Sequence, residues 1–197
     1  MASGSFFGKT GMKVTHDGMG KLRAALKAMS AREVLVGVPA DKTERGDGSP
    51  VTNAGIAYVQ DNGAPEQNIP ARPFMRPGID AARDKLIQHL ALGAKAVLER
   101  GASPDDGLIA CGLVAVSSIK MQIKQGIPPP LADATVRARA NRRGGPRGGT
   151  RRGAQWEMAW RAAGAPPGLE LAKPLIDTGN LIGSITFVIR DRGKRAK

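Results

Sequence analysis

Prolines stand at 65, 70, 73 and 77 in the otherwise turn-prone stretch Asn-Gly-Ala-Pro-Glu-Gln-Asn-Ile-Pro-Ala-Arg-Pro-Phe-Met-Arg-Pro-Gly-Ile, which runs from Asn62 to Ile79. Proline fixes φ near about −65° and steers the residue before it away from helix, so Ile69, Arg72 and Arg76 are pushed toward extended geometry. The expectation is a stiff, extended arm. Along it Ile69 and Phe74 anchor to a core, while Arg72 and Arg76 are presented to something else. Such an arm suits docking better than catalysis.

Around the arm the chain alternates helix and strand signals. Met19, Leu22, Leu26 and Met29 recur at helical spacing, predicting an amphipathic helix over 18–30 whose stripe packs on the core. Val34, Val36 and Val38 alternate in a strand over 33–38, followed by a turn-rich loop over 41–50. A short helix over 53–61 stops at Gly63 and feeds the arm. The arm then launches a helix at Arg76, with Pro77 at its first position and Ile79, Ala82, Leu86, Leu90, Gly93 and Val97 as its stripe. Ser103-Pro104-Asp105-Asp106 is a strong helix start, with a capping hydroxyl, a proline and two carboxylates at the positive end of the dipole. That helix is expected to end near Gln125, before Gly126 and the prolines at 128–130. A β-branched segment over 185–190 is expected to pair with the first strand. The predicted fold class is α+β, a small antiparallel sheet packed by several helices, with extended termini and a basic inserted loop.

The 197 residues fit one domain with appendages. We divide them into an N-terminal arm (1–15), a single core (16–138 and 173–190), an insertion (139–172) and a basic C-terminal tail (191–197). Only 4% of the residues are aromatic, so the core rests on Ala, Val, Ile and Leu, with Phe74 and Phe187 as aromatic fillers. Such a core is modest, and assembly with other subunits can supply part of the stability. Phe6 and Phe7, adjacent in a Gly- and Ser-rich stretch, read as a contact to a neighbour or as a loose terminus.

A net charge of +13 points to a polyanion or an acidic protein surface as the neighbour. About half of that excess lies in one stretch without an acidic residue, carrying Arg137, Arg139, Arg142, Arg143, Arg147, Arg151 and Arg152. The Arg/Gly-rich part, 139–153, is expected to be flexible and to attract phosphates, but no aromatic interleaves its arginines for base stacking. Trp156 and Trp160, four residues apart, share one face of a short helix, either as a protein-protein anchor or in local packing. Cys111 is the sole cysteine, so no intrachain disulfide forms, and its apolar neighbours predict a small buried hydrophobe. No signal peptide and no membrane span is expected, hence a soluble protein.

Two groups of residues resemble the neck and tail-completion proteins of tailed bacteriophages, a group that includes the virion morphogenesis proteins of Mu-type phages. The first is Ala57-x-x-x-Asp61-Asn62-Gly63 followed by Ile69-Pro70-Ala71-Arg72-Pro73-Phe74 and a helix. The second is Lys173-Pro174-Leu175-Ile176-Asp177-Thr178-Gly179-Asn180-Leu181 running into Ser184-Ile185-Thr186 and a terminal strand. Pro129-Pro130-Leu131-Ala132 with Thr135 and Arg137 looks like the lead-in to that second half. Together they span most of residues 33–190, and the insertion over 139–172 departs from the family pattern. The resemblance implies a structural virion protein of the head-to-tail junction, a ring of six or twelve copies joining the connector to the tail and letting the genome pass. It implies as partners the portal or connector and tail-tube or tail-terminator proteins, with non-specific contact to packaged DNA and no membrane. Subunit contacts are then expected at Phe6, Phe7, Ile69, Arg72, Phe74, Arg76, Trp156 and Trp160. Contacts to DNA or an acidic partner are expected at Arg139, Arg142, Arg143, Arg147, Arg151 and Arg152.

Enzymatic chemistry finds little in the sequence. His16 and His89 fall in different elements, with no His-Glu-x-x-His spacing and no phosphate-binding Gly-x-x-x-x-Gly-Lys-Ser/Thr loop. We expect no enzyme, no cofactor and no metal. The alternative to the virion reading is a basic nucleic-acid-binding protein that acts through its Arg/Gly-rich segment.

Overall fold

In the computed structural model, which describes residues 18–39, 51–142 and 150–193, the longest helix starts at the Ser103-Pro104 signal. Phe6, Phe7, Arg143 and Arg147 lie outside the described residues, as do the 1–15 arm and the 41–50 loop. Ser103 Oγ accepts from the Asp105 amide at 3.2 Å and Pro104 takes the first position, so the helix runs Pro104–Gln125 as expected. Along the chain it is the fifth helix, α5, after α1 (Gly18–Ser30), α2 (Asn53–Asn62), α3 (Met75–Ala81) and α4 (Arg83–Arg100). After it come α6 (Asp133–Asn141), α7 (Thr150–Ala162) and α8 (Asn180–Ser184). Strands β1 (Arg32–Gly37) and β2 (Thr186–Asp191) pair antiparallel, with Val34 opposite Ile189 and Val36 opposite Phe187. The fold is α+β, with helices packed about a two-stranded sheet.

Helix α5 is the hub. It packs against α3, α4 and both strands, burying Ile119 and Ile123 with Phe74, Ile127 and Ile185 in the principal core. By length and composition α5 is also apolar enough to cross a membrane, a property the sequence reading did not anticipate. Gly93 and Gly107 let α4 and α5 touch backbone to backbone, since a Cβ on Gly93 would stand 2.7 Å from the Gly107 Cα. Gly112 likewise leaves room for the ring of Phe187, which lies half-buried between β2 and α5 rather than in the principal core, where it was expected as a filler. Arg32 then ties the end of the sheet to the start of α5 through Asp105 and Asp191, each at 2.7 Å.

Three expectations are corrected. The helix expected from Arg76 to Gly101 is two helices, parted at Ala82, and Pro77 is the third residue of α3 rather than its first. The stripe of α1 does not reach the core, because Met19, Leu22 and Leu26 are exposed. The insertion is no loop in its described part: α6 and α7 pack on each other around a second, small core of Leu131, Val136, Ala140, Ala154 and Ala172. The expected boundary at 138/139 therefore falls inside α6.

A buried ion pair fastens this second core. Glu157, almost wholly buried, meets Arg161 at 2.8 Å and accepts from the Gly168 amide at 2.9 Å. Arg161 also donates to the Leu131 carbonyl at 3.0 Å and to Asp133 at 2.5 Å. One guanidinium thus joins α7, the start of α6 and the segment leading into it.

Candidate functional site

Asp61 organises the proline arm. One oxygen of its carboxylate, Oδ1, accepts from the Phe74 amide at 2.7 Å and the Met75 amide at 3.0 Å, satisfying donors at the start of α3 from a distant helix end. Gly63, at φ 82°, turns the chain back on α2 where a side chain would collide with the Ala71 backbone. The arm then lies along α2, the Arg72 amide donating to the Gln60 carbonyl at 2.8 Å. Its first half is a tight turn through Pro65–Gln67, closed by bonds between Ala64 and Ile69, rather than an extended strand.

With its backbone so placed, Arg72 turns inward. It is 5% exposed, and its Nε and Nη2 donate to the Pro129 carbonyl at 3.1 and 2.9 Å. Nη2 also reaches the Pro130 carbonyl at 3.3 Å. Prolines offer a carbonyl but no N–H, so a proline run is a ready acceptor for a buried cation. Arg139 is similarly engaged: 9% exposed, its Nη1 donates to the carbonyls of Lys173 at 2.8 Å and Ile176 at 2.9 Å. Asp177 Oδ1 stands 3.7 Å from Arg139 Nε, while its Oδ2 takes a 2.6 Å bond from Arg142.

These contacts bring the separated motifs to one place. A cleft of about 800 Å³ is lined by Ile56 and Gln60 of α2, Ile69, Pro70 and Arg72 of the arm, and Pro130, Leu131 and Thr135 of the lead-in. Leu175, Asp177, Thr178 and Leu181 close it, with Arg139 and Arg142 at the end of α6. Both halves of the resemblance and the segment between them therefore face a common space. The site is positive, since three guanidiniums line it against Asp177, the one carboxylate among its described lining residues, and only Arg139 and Arg142 approach that carboxylate. Desolvation holds both Arg72 and Arg139 below the ordinary guanidinium value. At Arg139, Asp177 opposes this, and the charges of Arg142 and Arg72 add to it.

Several expected contact residues are thereby reassigned. Arg72 and Arg139 are not open surface charges, because their guanidiniums are more than nine-tenths buried and bind backbone carbonyls within the chain. Phe74, expected both as core anchor and as interface, has no exposed surface and belongs to the core alone. Ile69 is half-buried at the cleft. Arg76 does lie open on α3, 4.0 Å from Asp80. Arg151 and Arg152 are exposed in the first turn of α7, with Arg151 Nε 3.3 Å from the Ala140 carbonyl. Trp156 and Trp160 are 63% and 57% exposed, so they do not pack into the second core. The sequence reading missed Asp61 as organiser of α3 and Asp177 as the shared counter-ion. The signal for the first was a carboxylate placed beside the Gly63 turn; Asp177 stands just before Gly179, which caps α8.

No family model, no curated protein and no solved structure matches the chain.

Proposed function

We propose that the chain is a structural protein of a bacteriophage virion, one subunit of a ring of six or twelve copies at the head-to-tail junction. The ring joins the portal or connector to tail-tube or tail-terminator proteins and lets the genome pass. Its work is geometric, done by closed, repeated contacts between copies made in the bacterial host cytoplasm. The observation that carries this reading is the meeting of the arm motif and the Lys173–Leu181 motif, about a hundred residues apart, around one cleft. Each motif is short, but their joint construction of a single site is what a shared architecture requires. Apolar side chains left open on α1, α4, α5 and α7 add to the support, since an assembling subunit covers such surface with its neighbours. Replacing Arg142, Arg143, Arg151 and Arg152 together with serine tests it in infected cells: particles are expected with weakened tail docking or DNA retention and a normally folded subunit. Unchanged assembly and retention would count against the proposal.

One observation favours the alternative of a basic nucleic-acid-binding protein. Arg152, Trp156 and Trp160 recur every four residues along one face of α7, whose single carboxylate, Glu157, is buried. That face combines positive charge with stacking surface, which the arginine run alone does not. Steep salt dependence in the binding of free subunits to any DNA would favour it.

A further inference from the structure

We infer that the cleft between the proline arm and the Asp177 segment is a docking groove for an acidic peptide segment of a partner protein. Buried guanidiniums are ordinarily matched by carboxylates, because an uncompensated charge away from water is costly. Among the described residues Arg72 meets only backbone carbonyls, and Arg139 and Arg142 compete for Asp177. Arg139 Nε, shielded from water, has no hydrogen-bond partner among the described residues. The groove thus carries an excess of two positive charges on side chains of which two are more than nine-tenths buried. A ligand carboxylate supplies what the chain withholds, and guanidinium is suited to it by its fork of donors.

The rest of the lining selects a peptide rather than a nucleic acid. Ile56, Ile69, Leu131, Leu175 and Leu181 give apolar walls, and no aromatic side chain is present among the described lining residues to stack a base. A volume of about 800 Å³ lies in the usual range of ligand sites, ~300–1,000 Å³. Apolar walls with a few buried positive groups fit a short segment that alternates carboxylate and aliphatic side chains. The groove differs from the α7 face, and it stands or falls separately from ring formation.

The test uses the full chain and a fluorescein-labelled hexapeptide alternating glutamate and leucine, with the glutamine-leucine peptide as control. Anisotropy is expected to show binding of the acidic peptide only, with slowed hydrogen exchange over 68–72 and 175–181. Arg142→Ser, at a half-exposed side chain, is expected to weaken binding about fivefold, the worth of one modest ion pair. Asp177→Asn is expected to tighten it by a similar factor, because it removes the competing carboxylate. A purely structural Asp177 would give the reverse, as loss of the fold lowers affinity. Equal binding of both peptides, weaker binding by Asp177→Asn, or protection confined to the α7 face overturns the inference. Tighter binding of a 20-nucleotide single strand to the same cleft backbone also overturns it, in favour of nucleic acid. Rings that form while the cleft ignores the acidic peptide would refute the groove and leave the assembly reading standing; binding by a chain that forms no ring would do the opposite.

Discussion

A guanidinium buried without a carboxylate of its own takes its acceptors from the backbone, and Arg72 does so from Pro129 and Pro130. Arg72→Met is therefore expected to cost about 1.5–3 kcal/mol in urea unfolding, by leaving carbonyls without their charged donor. Arg76→Ala, on an open side chain, is expected to stay within about 0.5 kcal/mol of wild type in the same measurement. The sequence could not tell these two apart, since each precedes a proline in the same arm. What separates them is a carbonyl 57 residues away, which local spacing does not encode. Phe74 was legible as a core anchor because an aromatic among prolines in an aromatic-poor chain has few other uses. Cys111 was legible too: it is buried, and desolvation raises its thiol pKa. A thiol raised in the folded state stabilises below its unfolded pKa and loses that contribution as pH climbs through the folded value. The stability of wild type relative to Cys111→Ala is therefore expected to fall once pH rises past about 8.5, as read by thermal melts. A constant difference up to the alkaline limit would refute this.

Among the elements, those announced by caps came out where the sequence put them. Ser103-Pro104 starts α5, Gly63 ends α2, and the β-branched runs pair as one antiparallel ladder, while the sequence reading missed the Thr52 cap of α2, a 3.0 Å bond from Gly55. Helix α7 was legible only at Trp156 and Trp160, and its first turn was hidden by composition. Its start belongs to an Arg/Gly run that reads as loop, and the core it completes uses Ala140, Ala154 and Ala172, residues too small to register as an apolar stripe. Its stability rests on Glu157 and Arg161, so Glu157→Ala is expected to destabilise by about 3–5 kcal/mol. Hydrogen exchange is expected to accelerate across α6 and α7 before it does in α5; acceleration spread evenly over all three would contradict a separate second core. Close approach of α4 and α5 is equally specific. Gly93→Ala places a methyl against the Gly107 backbone and is expected to lower stability by about 1–3 kcal/mol, as an overpacked contact does.

As a whole, the molecule has two cores with a positive cleft lined by parts of both, and apolar surface left uncovered around them. Met19, Leu22 and Leu26 of α1, Ile109 and Leu113 of α5, and the α7 tryptophans are all open. The α1 stripe was read correctly as apolar and wrongly as internal, because periodicity shows that a helix has a face to cover and not whether the cover comes from the same chain. A chain with +13 net charge resists casual self-association, so any ordered assembly must use matched faces rather than general stickiness. Replacing Trp156 and Trp160 with serine is accordingly expected to leave the melting temperature within a few degrees while reducing oligomer formation at least tenfold. The most direct measurement is electron microscopy of the purified full-length chain, alone and mixed with the portal and tail proteins encoded beside it. The account predicts closed rings of six or twelve copies that seat on those partners. Persistent monomers at every concentration, coating DNA in a steeply salt-dependent way and adding to no particle, would contradict it.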